Sequence, residues 1–276
     1  MIGQNFCPEP RVVGLSFDLA IDMIRSGDDS MIDARSGCAI ALAMWSGLVA
    51  IVPIEARAAG AAYQVDTAEV SEAGACKVET WASFASNRDF FGAVSPACSV
   101  PFVRPLELSA QFNRSRSDGE WDTAATPKFK VNLISSAIGK PGVAVTGTVT
   151  YDFSSREATQ VNLTVPVTLR LSDVVRINVN AGWMLDRPLD RQFFTYGLGV
   201  DWRTPDNVWT LTAEVFGQTG NNAETHSTTQ PRFQTGLRWR PVDRWNVDLI
   251  YGRNIMGENA NWLTIATVLR FPPKGE

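Results

Sequence analysis

Histidine is almost absent: His226 is the single one in 276 residues. Lysine is scarce beside arginine, cysteine numbers four, and 25 basic residues stand against 29 acidic ones. These shortages exclude several classes. One histidine leaves little for a metal centre or for imidazole catalysis. A net charge of −4 leaves no electrostatic footprint for nucleic acid. No nucleotide loop, zinc spacing or calcium loop occurs, so nothing calls for a cofactor. Long apolar runs are also missing, apart from one. That excludes a polytopic helical membrane protein, which needs several. It does not exclude a membrane β-barrel, whose alternating strands average to neutral hydropathy.

The one apolar run is "CAIALAMWSGLVAIVPI", residues 38–54. Arg35 precedes it and "EARAAGAAYQ" follows. A basic residue, a long apolar stretch and then small residues is the order of a secretory signal. Ala56-Arg57-Ala58 and Ala59-Gly60-Ala61 offer small-x-small sites, with the cut expected between Ala58 and Ala62. Met31 stands where such a signal would begin, so residues 1–30 read as an upstream extension and 31–61 as the helical signal peptide. The alternative is a cytoplasmic tail with a single signal-anchor helix. Residues 62–75 read as a short periplasmic segment ahead of the folded body.

Past the leader only Cys76 and Cys98 remain. An exported chain meets an oxidising compartment, so the pair reads as a disulfide. The text "CKVETWASFASNRDFFGAVSPAC" folds on Asn87 as a hairpin. That sets Phe84 opposite Phe90, Ala82 opposite Gly92, Val78 opposite Pro96 and Cys76 opposite Cys98. Closing such a loop contributes on the order of 3 kcal/mol.

From Arg104 onward the period is two. In "GVAVTGTVTYDF", Val143, Val145, Val149, Tyr151 and Phe153 oppose Thr146, Thr148, Thr150 and Asp152. "TQVNLTVPVTLRL", "VRINVNAGWML", "FFTYGLGVDW", "RFQTGLRWR" and "RWNVDLIY" repeat the pattern. Each run is about ten residues, enough to cross a membrane at a tilt. Aromatics gather at strand ends, as Trp183, Trp202, Trp209, Trp239, Trp245 and Tyr251 do, which suits the membrane–water boundary. Connections are expected to alternate: "PVD", "TPDN" and "SD" are tight, whereas "TGNNAETHSTTQP" and "MGENAN" are longer. "SSAIGKPG" breaks that scheme. The last strand, "LTIATVLRF", carries Leu263, Ile265, Leu269 and Phe271 in one register before Pro272 and Pro273 stop the ladder.

Through that ending and the alternation, residues 76–271 resemble Gram-negative outer-membrane β-barrel proteins of an alphaproteobacterial type. "CKVETWASFA…SPAC" and "RINVNAGW" carry the same flavour. The resemblance implies an all-β, antiparallel, up-and-down transmembrane barrel; counting strands back from a last one that runs toward the periplasm gives about twelve, or ten if the Cys76–Cys98 hairpin lies outside the wall. It implies a location in the bacterial outer membrane, contact with membrane lipid and lipopolysaccharide, and a terminal strand read by the barrel-assembly machinery. Residues 272–276 are a tail. The sequence leaves the oligomeric state open.

On the polar face, Arg104, Lys140, Arg170, Arg176, Arg203, Arg240 and Arg270 all fall beside the tight-turn end. A ring of arginine at a pore mouth would attract anions. The first expectation is a narrow passive channel for small anionic solutes. The second is a closed structural or surface-interaction barrel, its basic residues paired with carboxylates or lipid phosphates. A third is a lipid hydrolase using His226, Ser227 and Glu224, adjacent in one loop without the rigid frame a catalytic set needs.

Overall fold

The computed structural model describes residues 62–220, 228–256 and 260–273. The signal-peptide expectation, the proposed cut before Ala62 and the loop with Glu224, His226 and Ser227 lie outside them. Twelve antiparallel strands close on themselves: β1 (Cys76–Ala85), β2 (Phe90–Val100), β3 (Leu106–Ser117), β4 (Glu120–Ile134), β5 (Gly142–Asp152), β6 (Glu157–Arg170), β7 (Val175–Asp186), β8 (Arg191–Arg203), β9 (Trp209–Gly220), β10 (Thr228–Val242), β11 (Trp245–Asn254) and β12 (Asn261–Phe271). Each strand pairs with its neighbours in sequence, and β12 closes on β1. The count is twelve because the Cys76–Cys98 hairpin is part of the wall.

That hairpin has the expected register throughout: Phe84 faces Phe90, Ala82 faces Gly92, Val78 faces Pro96 and Cys76 faces Cys98. The disulfide is formed. The terminal strand closes the ring, with Phe271 opposite Cys76 and Ile265 opposite Ala82. Closure leaves no unpaired edge, the condition for a sheet standing in hydrocarbon.

The polarity is inverted relative to a water-soluble core. Outward-facing Leu198 and Leu249 are each 51% exposed, while inward-facing Gln234 and Asp248 are 2% and 1% exposed. A sandwich would bury those leucines between two layers; here both stay half exposed. Aromatics sit in two belts. At the end where β1 begins and β12 finishes, which we call the terminal end, Trp239 stacks on Trp209 and meets Trp245 edge-on, with centroids 6.2 and 6.0 Å apart. Phe84, Phe90 and Trp121 cluster at the opposite end, which we call the hairpin end. Rings suited to an interface therefore bracket an apolar band.

The expected alternation of loop length holds only in part. β3 and β4 join at the hairpin end through Asp118 and Gly119 alone, both at positive φ. That is the Asp-Gly pairing a two-residue hairpin requires. The "SSAIGKPG" connection at the terminal end is long because it folds back on itself, bridging Ala137 to Lys140 and Ile138 to Arg170.

Candidate functional site: the barrel lumen and its inner strap

Residues 62–69 run inside the barrel. This corrects the expectation that 62–75 is a periplasmic segment ahead of the body. From Cys76 the chain passes a turn at Gly74 (φ 86°), whose N–H donates to the Ser99 carbonyl at 2.7 Å. It then climbs into the lumen. Tyr63, Val65, Thr67, Ala68 and Glu69 are buried. We call this stretch the strap.

The strap has no regular secondary structure, so its peptide groups need other partners. Wall side chains supply them. The Gln64 N–H donates to Glu214 Oε2 at 3.0 Å and the Ala68 N–H to Thr168 Oγ1 at 2.9 Å. The Ala68 carbonyl accepts from Asn132 Nδ2 at 2.6 Å. The Asn180 amide accepts from the Asp66 N–H at 2.7 Å and donates to the Asp66 carbonyl at 2.8 Å. The amides and hydroxyls on the inner face thus serve as a lining for one specific piece of backbone.

Charges lock it. Asp66 meets Lys128 at 2.7 Å and Lys130 at 2.5 Å. Glu69 meets Arg176, which also holds Asp201 at 2.7 Å. The Tyr63 hydroxyl donates to Asp248 at 3.3 Å beneath Arg238, itself paired with Asp248 at 2.7 Å. Burial pushes the Asp66 carboxyl up, but Lys128 and Lys130 outweigh it and hold the group below the usual carboxylate range. Burial, reinforced by Asp248, raises the Tyr63 phenol.

Space for the strap is made by missing side chains. A Cβ on Gly197 would come within 2.9 Å of Val65 Cγ2. One on Gly199 would reach Val65 at 3.3 Å, and one on Gly236 would strike the Tyr63 hydroxyl. These three inward glycines form the bed on which Tyr63 and Val65 lie.

A cavity opens beside the strap and another at the terminal end. The first, of about 860 Å³, lies toward the hairpin end, with Tyr63, Gln64 and Asp66 on its floor and Lys128, Trp81, Phe91, Trp262 and Arg232 among its walls. The other, about 700 Å³, lies at the terminal end, lined by Val70, Ser71, Glu72, Arg244 and Arg270.

All seven residues of the expected basic ring lie at the terminal end, on strand ends or in connections there. They are not equivalent. Arg176 is half-buried and paired with Glu69 and Asp201. Arg240 donates to the Asn207 carbonyl at 3.0 and 2.6 Å, and Arg203 to the Asn207 side chain at 3.3 Å. Arg104 and Lys140 are exposed in turns, Arg170 is at the end of β6, and Arg270 lines the terminal cavity. Lys128, Lys130 and Arg232 also lie on the inner face, where the period of two puts them, but that period carries no sign of the Asp66 that Lys128 and Lys130 hold. Among the described residues no group of side chains is arranged to bind a metal ion.

The sequence matches the family described as "Uncharacterised conserved protein UCP029691" over residues 47–271. The chain belongs to that family. No curated protein matches it. Among solved structures, it is similar to a KdgM porin in complex with disordered oligogalacturonate, with 10% identity and a TM-score of 0.54, over 71% of this chain and 99% of that one. It is similar to the COG4313 outer membrane channel from Pseudomonas putida F1, with 13% identity and a TM-score of 0.53, over 74% and 97%. It is also similar to the NanC porin, with 8% identity and a TM-score of 0.55, over 70% and 98%. The shared feature is the closed antiparallel barrel; at such identities no side-chain role transfers.

Proposed function

We propose that the protein is an outer-membrane channel, exported by its N-terminal signal segment, that passes small anionic solutes. The observation that carries this reading is the charge of the wall. Asp66 and Glu69, which neutralise Lys128, Lys130 and part of Arg176, belong to the strap and not to the barrel. A wall stripped of the strap leaves Lys128 and Lys130 without their strap carboxylate, while other wall cations keep wall partners such as Asp201 and Asp248. Freed inward cations attract anions in a pore. The apolar band between aromatic belts supports a lipid setting. The fold of porins and channels supports a transport role over an enzymatic one. One such barrel has an oligogalacturonate, a polyanion, as its bound partner. The Leu263, Ile265, Leu269 and Phe271 strand is the segment we assign to recognition by the assembly machinery, and the hairpin-end loops to contact with lipopolysaccharide.

A second reading, a barrel that conducts nothing and serves a structural role, draws support from the same strap, because its buried residues fill part of the lumen. Planar-bilayer recording with a salt gradient separates them. The channel reading expects discrete conductance and an anion-selective reversal potential. Absence of conductance from both the intact chain and one lacking the strap would establish the second.

A further inference from the structure

We propose that Lys128 and Lys130 form an anion-binding site on the floor of the hairpin-end cavity, occupied at rest by the chain's own Asp66, and that an anionic solute displaces Asp66 and loosens the strap around Val65. The proposal deepens the channel reading and rests on it for its biological sense.

The two lysines are placed unequally. The side chain of Lys130 is 2% exposed, whereas those of Lys128 and Asp66 are 30% and 19% exposed. The ion pair therefore has a sealed side and an open side, and the open side faces the cavity. A carboxylate arriving there meets Lys128 first. Arg232 lines the same cavity, with no ion-pair or hydrogen-bond partner among the described residues. It supplies a second cation for a solute carrying more than one negative group. Gln64, Thr148 and Asn162 add amides and a hydroxyl around the pair.

Asp66 sits in the middle of the strap, beside Val65, so its displacement loosens that stretch first, while Glu69 on Arg176 holds the far part. The strap is irregular, and its peptide groups are held by side chains and not by a strand ladder. Its apolar contacts are those of Ala62 and Tyr63 in one cluster with Trp81, Ala93, Ile250 and Ala266, and of Val65 over Gly197 and Gly199. Its far end turns at Gly74 and is anchored by the Cys76–Cys98 bond, so loosening needs no change in the barrel. A ligand shifts such an equilibrium only through differential affinity. Here the difference is inherent, because the solute and Asp66 compete for the same ammonium groups.

The test is chemical labelling of a single cysteine introduced as Val65→Cys. Val65 is 1% exposed, so a bulky hydrophilic maleimide should react slowly while the strap is docked. The native Cys76–Cys98 pair does not compete, and modification is read at residue 65 by peptide mass. The probe is citrate, with potassium chloride at matched ionic strength as the control. The expected result is labelling about tenfold faster in citrate than in the chloride control. Asp66→Asn should label fast without citrate, and Lys128→Ala should lose the citrate effect. Equal rates in citrate and chloride would overturn the anion site, even if Asp66→Asn labels fast. Rapid labelling of the Val65→Cys chain in chloride alone would overturn the docked strap. Where Asp66→Asn fails to fold, as read by loss of heat-modifiable migration, the citrate comparison still decides. No arm depends on a pore, so failure here is distinct from failure of the channel reading, which conductance reports.

Discussion

Consider Leu249→Arg. Leu249 lies midway along β11, between Trp245 at one aromatic belt and Tyr251 at the other. Its cross-strand neighbours are Leu237 and Ile265, and all three point outward, at 51%, 46% and 52% exposed. If water covered this belt, an arginine there would change stability by no more than about 0.5 kcal/mol, the usual result for a surface site without special contacts. If lipid covers it, the cost at the membrane midplane is about 2–4 kcal/mol. Each 1.36 kcal/mol is a factor of ten, so the folded-to-unfolded ratio should fall by a factor of roughly 30 to 1,000. The assay is urea unfolding in lipid vesicles, followed by tryptophan fluorescence. A Leu249→Arg chain that unfolds within about 0.5 kcal/mol of wild type would refute the assignment of this face to lipid. Moving the same substitution toward a belt, to Tyr251, should cost clearly less.

Three further outcomes follow from the geometry. Replacing Cys76 and Cys98 by serine should lower barrel stability by about 3 kcal/mol in the same urea titration, since the bond closes the first hairpin beside the β1–β12 seam. Gly197→Ala places a methyl group 2.9 Å from Val65 Cγ2. It should loosen the strap and raise conductance while leaving heat-modifiable migration unchanged; unaltered conductance would count against the strap as the barrier. Acid should act through Asp66. Its value is lowered in the docked strap, so its contribution to docking is complete above the ordinary value of 3.8 and is lost as pH falls from there through the docked value. Conductance should stay constant from neutral pH to about 4 and rise in stronger acid, and Asp66→Asn should abolish that rise.

The wall was legible because a period of two is a direct image of a sheet with unlike faces. The hairpin of β1 and β2 was readable to the residue, since the symmetry of Phe84 with Phe90 and Cys76 with Cys98 leaves one register. The strap was not legible in "AYQVDTAEVSEAGA", which has neither alternation nor helical spacing. Its signal lay in the wall. Gly197 and Gly199 occupy inward positions in "YGLGVDW", and Gly236 does so in β10. Glycine inside a strand marks a close backbone approach or a visitor on that face. The basic ring was half legible. Strand parity puts its seven members at one end, but pairing of Arg176 with Glu69 depends on where the strap runs, which no strand pattern encodes. The loop-length rule misled at Asp118-Gly119, where turn chemistry favours two residues regardless of which end of the barrel it closes.

The most direct test of the account is the single-channel conductance of the refolded processed chain beside a chain that starts at Val70 and so lacks the strap. The account predicts that both fold to heat-modifiable barrels and that the shortened chain conducts severalfold more, with anion preference. Equal conductance in the two, or cation preference once the strap is gone, would contradict it.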